Sequence, residues 1–279
     1  MDHLTEPLVS VVMNCYNAEK YLKKAMDSVF KQTYKNWEII FFDNASTDNS
    51  AEIARSYGEK VKYYRSDKTY PLGDARNLAL EKVNGEYIAF LDCDDVWNPE
   101  KLERQTIEFE KDKDLGFVFS DAYYTDETDN VGDRILKYVD TSKIKGPFDI
   151  LKRGVLIVWS MIMIRKKILD RVGLFNPELM FCEDDDMIFK LAFEGPFKLI
   201  NEPLGCWRYH STNLTSNINF KMKKKEKVIV LRNILETKKL SILEKIELRL
   251  FIYKTIMTFE MVCKIFDKIR EYIFRWVKS

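Results

Sequence analysis

The most chemically loaded stretch of the chain is LDCDDVW, residues 91–97, where Asp92, Asp94 and Asp95 fall within four positions. They follow the apolar run Tyr87-Ile88-Ala89-Phe90-Leu91. Like charges this close raise the cost of ionising one another. A metal ion, a basic side chain or water must offset them. A carboxylate pair of this kind suits a hard divalent cation, which takes one or two carboxylates and completes its shell with ligand phosphates. The alternative is a solvated turn with an Asp capping the helix after Pro99.

Three further clusters carry potential chemistry. Asp43 closes the run EIIFFD and precedes NASTDNS. A carboxylate there can accept from a base-edge N–H or a ribose hydroxyl, or else form an Asx-turn. FCEDDDMIFKLAFEG, residues 181–195, places Glu183, Asp184, Asp185 and Asp186 at a helix start. The helix dipole favours acids there, and a buried carboxylate near a bound phosphate would serve as a general base. CWRYHSTN, residues 206–213, offers Arg208 for phosphate and His210 for metal or phosphate, or as a structural histidine.

Some chemistries are disfavoured. There is no GxGxxG and no GxxxxGK[ST], which argues against a dinucleotide oxidoreductase and a P-loop NTPase. The two histidines, His3 and His210, are accompanied by no GxSxG.

The elements that must position these groups alternate along the first half. Strands are expected at Leu8–Met13, Glu38–Phe42, Val61–Arg65 and Tyr87–Leu91. Helices are expected over Ala18–Gln32, within Asn44–Tyr57, over Gly73–Val83 and over Pro99–Lys111. That alternation implies an α/β fold with a mostly parallel, Rossmann-like central sheet flanked by helices. Ligands in such sheets sit at the carboxyl ends of the strands, where Asp43 and the Asp92–Asp95 cluster lie. The second half predicts strands at Gly116–Ala122, Val158–Ile164 and Leu204–Tyr209 and a helix over Asp184–Glu194.

With 279 residues and 46% hydrophobic side chains, the chain suffices for one large domain with an appendage. Its net charge of +1 hides an asymmetry. Residues 221–279 hold sixteen Lys and Arg against seven acids, or +9, and residues 1–220 hold twenty-nine against thirty-seven, or −8. A basic tail points to an anionic partner surface. Five cysteines without CxxC spacing argue against a disulfide framework or structural zinc and favour a reducing compartment. No signal peptide is read at the N-terminus, and no apolar run approaches the ~20 residues of a spanning helix. The expected location is cytoplasmic, either soluble or peripheral on the inner face of the cell membrane.

Taken in order, VSVVMNCYNAEKYLKKAMDSVFKQTY, WEIIFFDNASTDNS, GDARNLALEKVNGEYIAFLDCDDVWNPEKLERQ and VGLFNPELMFCEDDDMIFKLAFEG resemble the family-2 group of inverting, nucleotide-sugar-dependent glycosyltransferases with the glycosyltransferase-A fold, of the bacterial surface-polysaccharide type. The resemblance covers about residues 8–213. It implies a catalytic domain over 1–220, with a nucleotide-binding half to about 115 and an acceptor half from about 116; the Lys-rich, helically spaced sequence after about Phe220 marks a basic helical extension over 221–279. The resemblance places the nucleotide pocket at Asn14, Tyr16, Asn17 and Asp43, with Arg76 near the nucleotide or its diphosphate. Asp92 and Asp94 become the DxD pair, Asp94 as direct metal ligand and Asp92 nearer the ribose or the metal. Asp184 becomes the catalytic base, with Glu183 beside it, and His210 reaches the metal or the diphosphate. The implied cofactor is Mn2+ or Mg2+. The implied partners are a nucleotide-sugar donor, UDP-sugar first, and a glycan or lipid-linked oligosaccharide acceptor. The chain departs from the common DDGSTD in carrying Asn44 after Asp43.

Two rivals stand beside this reading. A sugar nucleotidyltransferase would carry a Gly-rich basic loop after the first strand, where this chain has NCYNAEKY. A non-catalytic scaffold subunit would lack the acidic pairs. In the tail, residues 265–279 put Ile265, Phe266, Ile269, Ile273 and Trp276 on one helical face and Lys264, Lys268, Glu271 and Arg275 on another. That pattern suits a packed helix, a homodimer contact or an anionic membrane surface. Nucleic acid is not expected, since the aromatics lie on an apolar stripe apart from the basic residues.

Overall fold

A computed structural model describes residues 6–153, 155–213 and 220–257. The chain divides into two compact units, Met1–Asn217 and Ile218–Ser279. The apolar face expected over 265–279 lies outside the described residues.

The first unit starts with alternating strands and helices: β1 Val9–Cys15, α1 Glu19–Phe30, β2 Trp37–Asp43, α2 Ser50–Arg55, β3 Val61–Arg65, α3 Leu72–Leu80 and β4 Tyr87–Phe90. The runs VSVVMNC and WEIIFFD are almost continuously apolar because helices cover both faces of this part of the sheet. Strand order is β3-β2-β1-β4, all parallel, and Cys15 pairs in register with Asp43. Val11, Met13, Ile39, Phe41 and Ala89 form one core with Leu22, Met26 and Val29 of α1. Each such side chain contributes about 1.5–3 kcal/mol on burial. Gly85 admits no side chain, since a Cβ there would lie 2.6 Å from the Ser10 amide nitrogen.

The loop after β2 does a second job. It caps α1, whose first amides have no partner within the helix. Ala18 N–H donates to Ser50 Oγ (2.9 Å), Glu19 N–H to Asp48 Oδ2 (3.0 Å) and Asn17 N–H to Ser46 Oγ (3.0 Å). The Ser/Thr/Asp/Asn content of NASTDNS therefore serves two helices, its own and the one before it.

Beyond β4 come β5 Val96–Trp97, α4 Lys101–Lys111, β6 Phe117–Thr125, β7 Val131–Arg134, α5 Pro147–Arg153, β8 Ile162–Arg165, α6 Lys166–Val172, α7 Glu183–Glu194 and β9 Phe197–Arg208. The sheet continues β4-β8-β6-β9-β5, with β8 antiparallel to both β4 and β6, β9 parallel to β6 and β5 antiparallel to β9. Two differences from the sequence expectation follow. The strand expected at Val158–Ile164 opens as a single 3-10 turn, Trp159–Met161, and is extended only from Ile162. β9 runs twelve residues instead of the six of Leu204–Tyr209, through shifts of register against Ser120 and Asp121. The helix expected within Asn44–Tyr57 is found over Ser50–Arg55.

The second unit contains α8 Phe220–Thr237 and a further helix over 242–257. Among the described residues no helix is long and apolar enough to cross a membrane.

Candidate active site

The three aspartates after β4 take three different partners. Asp92 lies 3.5 Å from an Arg76 guanidinium nitrogen, and its backbone N–H donates to Ser160 Oγ at 3.0 Å. Asp94 meets His210 Nε2 at 2.9 Å and accepts from Asn213 Nδ2 at 3.4 Å. Asp95 is buried inside the turn, where it accepts the Ser160 hydroxyl at 2.5 Å and the Arg208 backbone N–H at 2.8 Å. Basic side chains therefore offset part of the negative charge. Burial, then the neighbouring Asp92 charge, pushes the Asp94 carboxyl up, against the lowering effect of His210. Burial and the other two aspartates push Asp95 well up.

Arg208 and His210 reach this turn because β9 ends beside it. The expectation that Arg208 binds phosphate does not match its surroundings. Its side chain is 2% exposed; Nε donates to the Asp94 carbonyl (2.8 Å), one terminal nitrogen to the Asp126 carbonyl (2.8 Å), and the other pairs with Asp129 (2.8 Å). It stacks on Tyr21 of α1, whose ring also lies against His210. Arg208 fixes the acidic turn from beneath.

Arg76 is the junction of the site. It projects from α3, is fully buried, and one terminal nitrogen donates to Glu183 Oε1 at 3.2 Å and to Asp184 Oδ1. Its guanidinium sits over the Trp159 and Phe175 rings at 5.3 and 5.4 Å. Asn77 ties α3 to the segment before α7 by a reciprocal pair, Nδ2 to the Phe175 carbonyl (3.0 Å) and the Phe175 N–H to Oδ1 (2.8 Å). One helix therefore places a cation between the acidic turn and the start of α7. The environment separates the two α7 acids. Burial first, then Asp184, pushes Glu183 up to about 8. Burial also raises Asp184, but Arg76 opposes it, leaving a value of about 6. The two acids titrate as a pair: burial favours retention of a proton between them, and the Arg76 charge favours ionisation of Asp184.

Asp43 occupies the carboxyl end of β2. The parallel register places Asp43 opposite Arg65, and the two-residue repeat puts Tyr63 on the same face. Oδ2 accepts from Tyr63 Oη and Arg65, both at 2.6 Å, and Oδ1 accepts the Ser46 N–H at 2.8 Å. Burial alone would raise this carboxyl. The hydrogen bonds from Tyr63 and Ser46 and the Arg65 charge outweigh it and hold the pKa below the ordinary carboxylate value. At the end of β1 the Asn14 Nδ2 is buried without a partner, Tyr16 is exposed, and Asn17 adopts a left-handed φ of 51° with Oδ1 accepting the Thr47 N–H at 2.7 Å. Asn14, Tyr16, Asn17 and Asp43 share one sheet edge, beside the Asp92–Asp95 turn.

Asp94 and His210 present one carboxylate and one imidazole within hydrogen-bonding distance. Among the described residues no group of three His, Cys, Asp or Glu closes a metal site. Two donors fit a divalent cation that brings diphosphate oxygens as its remaining ligands. Sequence reasoning gave no role to Asp95, Ser160, Asn77, Tyr63 or Arg65. Only Asp95 carried a signal, as the third acid of LDCDD.

The chain is similar to several known proteins. The family model described as "Glycosyl transferase family 2" matches residues 10–173. An uncharacterized glycosyltransferase of Methanocaldococcus jannaschii is 34% identical over 215 residues, covering 74% of this chain and 72% of that one. The putative teichuronic acid biosynthesis glycosyltransferase TuaG of Bacillus subtilis is 38% identical over 118 residues, covering 41% of this chain and 46% of TuaG, less than half of that relative's length. Residues 1–349 of S. aureus TarS, crystallised with UDP-GlcNAc, superpose with a TM-score of 0.72 at 19% identity, covering 89% of this chain and 71% of that one. At that identity the likeness speaks for the fold.

Proposed function

The chain belongs to glycosyl transferase family 2 and has its glycosyltransferase-A fold, and from that premise we propose that it is a metal-dependent inverting enzyme moving a sugar from a nucleoside diphosphate, UDP first, to a hydroxyl of a glycan acceptor. The acceptor is proposed to be lipid-linked and the product a surface polysaccharide. The name of TuaG, which refers to teichuronic acid biosynthesis, supports this setting. UDP-GlcNAc in TarS supports the donor class.

One observation carries the mechanism: the Arg76 guanidinium joins Asp92, at the DxD turn, to Asp184, at the start of α7. A donor whose diphosphate sits against Asp92 and Asp94 then has its anomeric carbon near Asp184. The Asp184 carboxylate accepts the proton of the acceptor hydroxyl as that oxygen attacks the anomeric carbon. The bond to the diphosphate oxygen breaks on the opposite face, so the anomeric configuration inverts. The Arg76 charge favours the ionised form of Asp184 for this step. Asp94 and His210 would hold the divalent cation, Mn2+ or Mg2+, which when bound supplies neutralising charge to the leaving diphosphate. Asn14, Tyr16, Asn17 and Asp43 are assigned to the nucleotide.

The test is product analysis by NMR with a panel of α-linked nucleotide sugars and glycan acceptors. A β-linked product, absent with Asp184→Asn although that variant still binds nucleotide, is expected. A product retaining the donor configuration, or full turnover by Asp184→Asn, would overturn the assignment.

A further inference from the structure

The helix over 242–257 in the second unit has two apolar sides. Leu248 and Ile252 are buried. On the other side Ile242, Leu243, Ile246, Leu250, Tyr253 and Met257 are between 42 and 78% exposed. At about 100° per residue these six span an arc of about 100° along a helix about 24 Å long. Arg249 borders the arc on one edge and Lys254 on the other. Scattered exposed apolar residues are ordinary, but six aligned along a single stripe mark a surface that is covered in use.

Charge decides between the candidate covers. Residues 220–257 carry eleven Lys and Arg against four Glu, a net +7. Most of that charge lies on 220–241, the helix itself carrying Lys245, Arg249 and Lys254 against Glu244 and Glu247, so a second copy of these residues would set a further +7 beside the first. An anionic lipid surface offers apolar depth for the stripe and negative head groups for the basic residues that border it. No described helix is suited to span a bilayer, so the helix would lie along the surface.

We infer that the 242–257 helix is an interfacial lipid-docking element, with Ile242, Ile246, Leu250, Tyr253 and Met257 entering the head-group boundary and Arg249 and Lys254 meeting anionic head groups. This goes beyond the sugar-transfer reading and rests on none of its residues.

Vesicle flotation of the full chain tests it independently of catalysis. Vesicles of phosphatidylcholine alone are compared with vesicles containing ~30 mol% phosphatidylglycerol. The expected result is at least tenfold more protein floating with the anionic vesicles, lost in Ile246→Glu/Leu250→Glu and in the uncharged Ile246→Asn/Leu250→Asn, with unchanged thermal unfolding. Arg249→Gln/Lys254→Gln is expected to lower binding and weaken its salt dependence. Three results would overturn the inference: equal flotation of wild type and both stripe variants, no flotation of wild type with either vesicle, or a wild-type dimer that the stripe variants convert to monomer.

Discussion

Arg76 and Asp184 form an ion pair across 108 residues of chain, and the same guanidinium reaches Asp92. Removing the cation would leave Glu183 and Asp184 with an uncompensated partly buried charge. Arg76→Met is therefore expected to lower unfolding stability by about 3–5 kcal/mol. Arg76→Lys keeps the charge but not the planar fork. It is expected to fold and to lose about 10–100-fold in kcat/KM, measured by nucleotide release with saturating acceptor.

The α7 acids set the pH behaviour. Asp184 faces Arg76, Asp92 and Asp185, with Glu183 beside it, and must be ionised to act as a base. Activity is thus expected to rise with pH through an apparent value of about 6. Stability should move the other way. Both carboxyls have folded values above their unfolded ones, so the stability they contribute is full below about pH 4 and is lost as pH rises through about 6 and about 8. In ligand-free protein, Glu183→Gln is expected to flatten the fall in Tm across this window.

The acidic turn depends on the Asp95 side chain, whose hydrogen bonds go to the Ser160 hydroxyl and the Arg208 backbone N–H. Asp95→Ala would leave the Arg208 N–H and the Ser160 hydroxyl without their acceptor, at about 1–3 kcal/mol each. Denaturant unfolding is expected to show a loss of this size, together with weaker nucleotide binding, because Ser160 also holds the Asp92 backbone. Ser160→Ala should reproduce part of both effects.

Asp43 has its carboxyl pKa depressed, so its contribution to stability is present above about pH 4 and lost as pH falls below that. Asp43→Asn is expected to remove this acid-labile part. It should also raise the nucleotide Kd about tenfold or more, since the amide cannot accept from Tyr63, Arg65 and a base N–H in the same way.

The first half of the fold was legible because each strand and helix there has its own period and the connections are short. The Asp92–Asp95 turn, Asp43 and the acidic start of α7 could be picked out by residue type alone. The second half was less so, for physical reasons. β5 has two residues, too few for any period, and β9 carries Pro203 and Gly205 through register shifts that hide its alternation. Ser160 sits in a 3-10 turn inside an apolar run that reads as strand. Arg208 looks like a phosphate ligand until Asp126 and Asp129, about eighty residues earlier, are seen to hold it. Long-range pairing decides such roles, and it leaves no local trace.

The most direct test is calorimetric titration of UDP, GDP and dTDP into the full-length protein, with and without Mn2+, repeated on Asp94→Ala. The expected result is metal-dependent binding of one nucleotide, UDP first, that Asp94→Ala abolishes while its thermal unfolding stays intact. Binding of no nucleotide by well-folded protein, or metal-dependent binding unchanged in Asp94→Ala, would contradict the proposed donor site.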